Sequence, residues 1–259
     1  MEDQFLKVAK QAAEEAGKII LKYYGTTYKI AIKNDDTADL VTQADTESEG
    51  KIVQILTTNF PTHNIIGEEN TRIKKHSEYT WVIDPLDGTL SFKHGLPFFS
   101  VSIGLFKNNL PYLGVIYQVA TKQLFWAQEG KGANLNGKKI SVSNIDHLDE
   151  AAIVFGWGAM KTRSEKFKKY IQPLMNKIHY PYSVGSGTTG HVFLSRGIIE
   201  ATFDIGWIWD YAASFVIIKE AGGKLTDFEG NELDWNKDRL EVVASNGLIH
   251  DQILEALKK

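Results

Sequence analysis

The segment Trp81-Val82-Ile83-Asp84-Pro85-Leu86-Asp87-Gly88-Thr89 sets an apolar run directly against two carboxylates. Such a run reads as a buried strand that carries acidic side chains to the edge of a sheet. Pro85 fixes φ near about −65° and donates no hydrogen bond, so its carbonyl and those of its neighbours can turn toward a cation. Gly88 lets a backbone N–H approach an anionic ligand closely. Two acidic ligands beside a phosphate-sized nest point to metal-assisted chemistry on a phosphate ester.

Three further acidic clusters follow apolar runs. Asn64-Ile65-Ile66-Gly67-Glu68-Glu69 reads as another strand ending in carboxylates. Gly206-Trp207-Ile208-Trp209-Asp210 leads into a helical pattern over 211–218, with Asp210 at or near the N-cap. Val41-Thr42-Gln43-Ala44-Asp45 lies just ahead of Ile52, Ile55 and Leu56, which recur at helical spacing. Ordinary capping accounts for any one cluster alone. It does not account for four, each closing an apolar run.

The rest of the chain restricts the alternatives. Its 259 residues allow one large domain or two closely packed halves. Hydrophobic residues make up 43% and charged residues 24%, which excludes a disordered chain. The net charge of −3 argues against a nucleic-acid binder, whose footprint is basic. With no cysteine there is no thiol nucleophile, thiolate ligand or disulfide. No apolar run reaches the roughly 20 residues that span a bilayer, and the opening Met1-Glu2-Asp3-Gln4-Phe5 lacks the pattern of a signal peptide. A cytoplasmic protein without membrane partners is expected.

Periodicity predicts a helix over 5–23 ended by Gly25, a polar loop over 33–39, and a second helix over 42–59 stopped by Pro61. From 98 to 142 the period becomes two, with turns near Asn108-Asn109, Thr121-Lys122 and Asn136-Gly137, the pattern of an antiparallel meander. Strands are then expected over 151–155, 182–185, 200–204 and 240–244. Helices are expected over 165–178, 188–195, 210–221 and 249–257. No linker separates 1–143 from 144–259, and the acidic clusters come from both halves. Periodicity by itself supports only a mixed α and β chain, with the site between the halves.

Gly67-Glu68-Glu69, Asp84-Pro85-Leu86-Asp87-Gly88-Thr89, and Trp209-Asp210 ahead of Glu220-Ala221-Gly222-Gly223 together resemble the inositol monophosphatase family of Mg2+-dependent, lithium-sensitive phosphatases. The resemblance includes Val41 to Asp45 and runs from about residue 5 to the C-terminus. It implies an α+β fold, a layered αβαβα sandwich, as one closely packed unit. It implies Mg2+-dependent hydrolysis of small phosphate monoesters by metal-activated water, with inositol 1-phosphate the expected substrate, and a homodimer. By the same carry-over Glu68, Asp84 and the Leu86 carbonyl hold a first metal, Asp84, Asp87 and Asp210 a second, and Glu68 with water a third. Thr89 would activate the water and pass its proton to Asp45. Gly88 and Thr89 would hold the phosphate, and Asp87, Gly187, Asp204 and Asp210 would contact the substrate. Glu69 reads either as an orienting group behind the ligands or as a solvated strand end. The tryptophans read as core, with Trp207 the candidate for lining the pocket, and His94 and His191 as ordinary side chains.

The sequence departs from the family at Leu90-Ser91-Phe92, at Tyr182, and in the length of the 206–210 stretch, all on the substrate or subunit side. Within the superfamily, NADP+, 3′-phosphoadenosine 5′-phosphate and fructose 1,6-bisphosphate are alternative substrates. Asp87-Gly88-Thr89-Leu90 also echoes the haloacid dehalogenase motif, but that motif needs an aspartyl nucleophile where Pro85 stands. A non-catalytic regulatory protein on the same fold is a further alternative.

Overall fold

The computed structural model describes residues 3–33, 36–158 and 160–258, and the side chains among them except those of 36–39. Met1 and Glu2 of the opening segment, and Asn34 and Asp35 of the expected polar loop, lie outside the described residues.

Helix α1 (Gln4–Tyr23) starts where the Asp3 carboxylate accepts the Phe5 N–H. Strands β1 (Ile30–Lys33) and β2 (Asp36–Thr42) form an antiparallel hairpin across the segment expected to be a loop. Its polar residues carried no alternation, and the pairing itself holds them extended. Thr42 caps α2 (Gln43–Asn59) in a reciprocal box with Asp45.

An eight-stranded sheet follows: β3 (Asn64–Gly67), β4 (Arg72–Ile73), β5 (Tyr79–Asp87), β6 (Ser100–Lys107), β7 (Leu110–Gln118), β8 (Gln123–Gln128), β9 (Ala133–Leu135) and β10 (Lys138–Lys139). Its order is β10-β9-β8-β7-β6-β5-β3-β4, antiparallel except for β3 with β5. Asn108 and Asn109 both take positive φ, as the two-residue hairpin turn between β6 and β7 demands. A short helix α3 (Thr89–Lys93) interrupts the sheet after β5.

The second sheet, five-stranded, contains β11 (Ala152–Phe155), β12 (Tyr180–Tyr182), β13 (Ala201–Trp207), β14 (Lys224–Thr226) and β15 (Arg239–Ser245), in the order β12-β11-β13-β15-β14. The helix expected over 165–178 is instead a short α4 (Arg163–Lys166), a π turn over Phe167–Ile171 and a 3-10 turn over Gln172–Leu174. Pro173 lacks an N–H and its ring collides with the preceding turn, so a regular ladder cannot pass through it. The strand expected at 182–185 ends at Tyr182. Helices α5 (Gly187–Ser195), α6 (Ile208–Glu220) and α7 (His250–Leu257) complete the chain.

The layers follow from which faces are apolar. Helices α1 and α2 cover one face of the large sheet with Ala12, Ile20, Ile52 and Leu56. Its other face packs on α6 through Ile116, Phe125, Ala213 and Ile217. The opposite side of α5 and α6 meets the small sheet through Leu194, Tyr211, Val154 and Val242. Beyond that sheet, Ile171, Ile253 and Leu254 close the last core. The result is the expected αβαβα sandwich. Strand β6 is buried on both faces rather than alternating, because helices cover both. On the adjoining β7, Gly114 is needed: a Cβ would fall 2.2 Å from the Ala213 carbonyl of α6. No helix among the described residues is long and apolar enough to cross a membrane.

Candidate active site

Asp84 and Asp87 are three residues apart on β5, a spacing that puts side chains on opposite faces of a regular strand. The β5–β6 register resolves this. Asp84 faces Ser102 and Asp87 faces Ser100, so Pro85 and Leu86 form a bulge opposite one residue of β6. The extra residue turns both carboxylates to one side. Asp210, in the first turn of α6, accepts the Trp207 N–H at 2.6 Å and joins them. It sits three residues inside the helix rather than at its cap. One oxygen from each of Asp84, Asp87 and Asp210 lies within 4.8 Å of the others.

These carboxylates are costly without a cation. Burial pushes Asp84 well above the ordinary carboxylate range, and the charges of Glu68, Asp87 and Asp210 push further. Burial raises Asp210 likewise, with Glu68 and Asp87 adding. Burial also raises Asp87, against donation from Ser186 and Thr188. On the facing strand the Ser102 hydroxyl is buried without a hydrogen-bond partner among the described residues.

The other expected residues converge unevenly. Thr89 Oγ1 lies 3.2 Å from Asp45 Oδ1 and 3.0 Å from the Leu86 carbonyl oxygen. Asp45 is buried, accepts the Thr42 N–H at 2.8 Å and the Thr42 hydroxyl at close contact, and is pushed up to about 6 by burial. Gly88 holds φ at +85°, and a Cβ would fall 2.4 Å from the Phe98 carbonyl oxygen, so only glycine fits. Glu68 lies outside the aspartate triad but reaches Asp84, and it pairs with Lys33, Nζ to Oε1 at 2.9 Å. The same ammonium meets Glu69 at 2.8 Å. Glu69 is not solvated: its side chain is 4% exposed, and burial together with Glu68 raises it to about 8.

A cleft of about 390 Å³ runs from Glu68, Asp87 and Asp210 past Gly88, Thr89 and Gly187 to Asp204, Trp157 and Arg163. The N–H of Gly187 is engaged by Asp87 at 3.2 Å. Asp204 forms an ion pair with Lys166 at close contact. Trp207 is not in the cleft wall; its ring stacks on Trp209 at 5.3 Å, with Arg239 at 5.1 Å over it. His94 is exposed. His191 does reach the cleft wall, bonded to Ser214 at 2.8 Å, and burial lowers it to about 4, so it is neutral.

Sequence reasoning placed Ser186 in a turn that approaches the substrate or enters a helix, but missed its hold on Asp87, and missed Lys33, Thr188, Arg163 and Lys166. Ser186 and Thr188 hold Asp87 through both hydroxyls and the Thr188 N–H. Ser186 also caps α5, accepting the Thr189 N–H at 3.1 Å, and that N-cap pattern was the available signal.

The sequence matches the model of the Inositol monophosphatase family over residues 1–259. The chain belongs to that family. It is 36% identical over 266 residues to inositol monophosphatase 3 of Solanum lycopersicum, covering 99% of this chain and 97% of that protein. It is 32% identical over 258 residues to a fructose-1,6-bisphosphatase/inositol-1-monophosphatase of Aquifex aeolicus, covering 99% and 96%. Its fold matches the crystal structure of extragenic suppressor protein suhB from Bartonella henselae with a TM-score of 0.93, at 30% identity and 99% coverage of both chains. Membership makes the chain a phosphoric monoester hydrolase, and the acidic cluster and cleft are the corresponding candidate centre.

Proposed function

We propose that the chain hydrolyses small polyol phosphate monoesters, with inositol 1-phosphate the leading substrate and Mg2+ the cofactor. The convergence of Asp84, Asp87 and Asp210 within 4.8 Å at one end of the cleft carries this reading. The donors fit a hard dication: buried carboxylate oxygens that repel one another, beside the Ser102 hydroxyl, which has no hydrogen-bond partner among the described residues. These three aspartates would hold it, with Glu68 and the Leu86 carbonyl as further ligands. Bound there, Mg2+ would neutralise phosphate charge and acidify water within its reach.

The chain's own groups do the rest. Thr89 takes the proton of the attacking water and passes its own to Asp45, which Thr42 holds in place. The N–H groups of Gly88 and Thr89, at the start of α3, cradle the phosphate. Asp204 accepts hydroxyl hydrogen bonds from the alcohol. The large sheet is complete by Lys139 and the small sheet begins at Ala152, which supports halves at 1–143 and 144–259 packed as one unit. A cytoplasmic home fits a chain without cysteine, and lithium sensitivity and pairing as a homodimer rest on the family resemblance. A Mg2+-dependent screen of phosphate monoesters tests the whole. Absence of turnover on every ester would leave the non-catalytic reading.

A second reading is favoured by the far end of the cleft. Asp204 would repel a second phosphate if it stood alone, but Lys166 neutralises it. Arg163 adds a cation there, with its Nε buried and without a hydrogen-bond partner among the described residues. That end suits the second phosphate of a sugar bisphosphate. Asp204→Ala should raise KM for inositol 1-phosphate while kcat changes less, as lost uniform binding does. Freed Lys166 should at the same time lower KM for fructose 1,6-bisphosphate, and Arg163→Ala should raise it. Steady-state kinetics on both substrates checks this, and insensitivity of the bisphosphate to both changes removes the second reading.

Metal binding should also depend on pH. A carboxylate whose pKa is raised by folding favours the folded state at low pH, and that contribution is lost as pH rises through its folded value. Asp84, Asp87 and Asp210 therefore weaken the metal-free protein toward neutrality. A dication bound to their ionised forms offsets this, by about 2.7 kcal/mol at a hundredfold excess over Kd. The difference in Tm between Mg2+-loaded and EDTA-treated protein should grow from about pH 5 to about pH 8. A difference that shrinks as pH rises would place the cation elsewhere.

A further inference from the structure

Glu49 lies one turn beyond Asp45 on α2 and is buried, with 4% exposure. A spacing of four puts both carboxylates on one helix face. Asp45 reaches Thr89, whereas Glu49 reaches the turn that follows Glu68. Its Oε2 accepts the Glu69 N–H at 2.9 Å. Its Oε1 accepts the N–H groups of Asn70 at 3.2 Å and Thr71 at 3.0 Å, and the Thr71 hydroxyl at 2.7 Å. Hydrogen bonds to an ionised acceptor are roughly twice as strong as neutral ones, so these donors fasten the turn firmly. Position 67 is shaped around the carboxylate: a Cβ on Gly67 would fall 2.5 Å from Oε2. A second strap comes from Arg72, which bonds the Gly67 carbonyl and stacks over Trp209, the neighbour of Asp210, at 5.4 Å. Glu49 itself is not part of the cleft wall.

We propose that Glu49 is a positioning residue: by holding the backbone of 69–71 it fixes Glu68 against the aspartate triad. One face of α2 then sets both the Glu68 ligand and, through Asp45, the Thr89 hydroxyl. The inference rests on the Mg2+-dependent reading above.

Glu49→Gln keeps the size of the side chain but sets an amide NH2 against backbone donors. Calorimetry with Mg2+ alone should show Kd rising by about 10–100-fold, the usual effect of losing a group that orients metal ligands. Turnover at saturating Mg2+ should stay near that of the parent. Thr71→Val removes only the hydroxyl donor and should shift Kd in the same direction by less; it decides the matter should Glu49→Gln fail to fold. A fall in the Tm of the EDTA-treated protein with unchanged Mg2+ affinity would make Glu49 an ordinary structural anchor and overturn the proposal. Unchanged affinity in a folded Thr71→Val protein, where Glu49→Gln does not fold, overturns it equally. A parent that binds no Mg2+ would overturn the metal reading and this inference with it, whereas a variant equal to a Mg2+-binding parent overturns this inference alone.

Discussion

Asp84→Asn is expected to lose phosphatase turnover by on the order of 10³-fold while its metal-free form melts at a higher temperature than the parent. The two effects share one cause. Asp84 is buried among carboxylates that burial and mutual repulsion already push upward. The amide removes one of those charges and its desolvation cost. It keeps the local geometry, because the asparagine oxygen can still accept the Leu86 N–H that Asp84 accepts at 3.0 Å. Each kcal/mol of relief should raise Tm by about 2–4 °C in a chain of this size. The cation loses the charge of a central ligand, so affinity and turnover fall together. Scanning calorimetry in EDTA and a phosphate-release assay with Mg2+ measure both halves. A metal-free variant that is markedly less stable than the parent would make Asp84 a structural residue.

Thr89→Ala should lower the rate by about 10²–10⁴-fold, the range for a general acid–base group, with Mg2+ affinity by calorimetry close to the parent's. The hydroxyl has one proton and two acceptors in reach, Asp45 Oδ1 and the Leu86 carbonyl oxygen. If that carbonyl is turned to a cation, the proton is left to Asp45, which sets the direction of transfer. Asp45 must be ionised to receive it, and burial holds it up to about 6. The parent's rate should therefore rise with pH through about 6 and level off, and the alanine variant should lose that rise. Thr89→Ser should restore both. Near-parental turnover in Thr89→Ala would eliminate the relay.

Much of this was legible in the sequence because it is local. The carboxylates that close the strands ending in Glu68 and Asp87, the helix starts at α2 and α6, and the glycine at 88 all follow from residue chemistry within a few positions, whereas the bulge at Pro85 and the capping box of Thr42 and Asp45 show only in the folded pairing. The hairpin over 30–42 was not legible, because its residues lack alternation and long-range pairing alone extends them. The break of the 165–178 helix was signalled by Pro173, which the apolar periodicity obscured. The partners of the acidic groups were hidden for another reason. Lys33 beside Glu68, Lys166 beside Asp204, and Glu49 beneath Glu69 are charged residues on elements whose own pattern is ordinary. Only folding pairs them, and that pairing changed two readings: Glu69 is buried, and Asp204 is not a lone negative charge.

The grip of the first turn of α5 on Asp87 joins residues 99 to 101 positions apart. Contacts so distant in sequence form late, since the entropy of closing a long loop must be met before they contribute. A nascent chain leaving the ribosome therefore has its paired β5 carboxylates well before it has Asp210 or the donors that orient Asp87. During that interval a cation finds an incomplete set of ligands on a flexible chain. A cation held by this set would not template the fold as zinc templates a finger; it would bind last, and its affinity would report that both sheets have already docked.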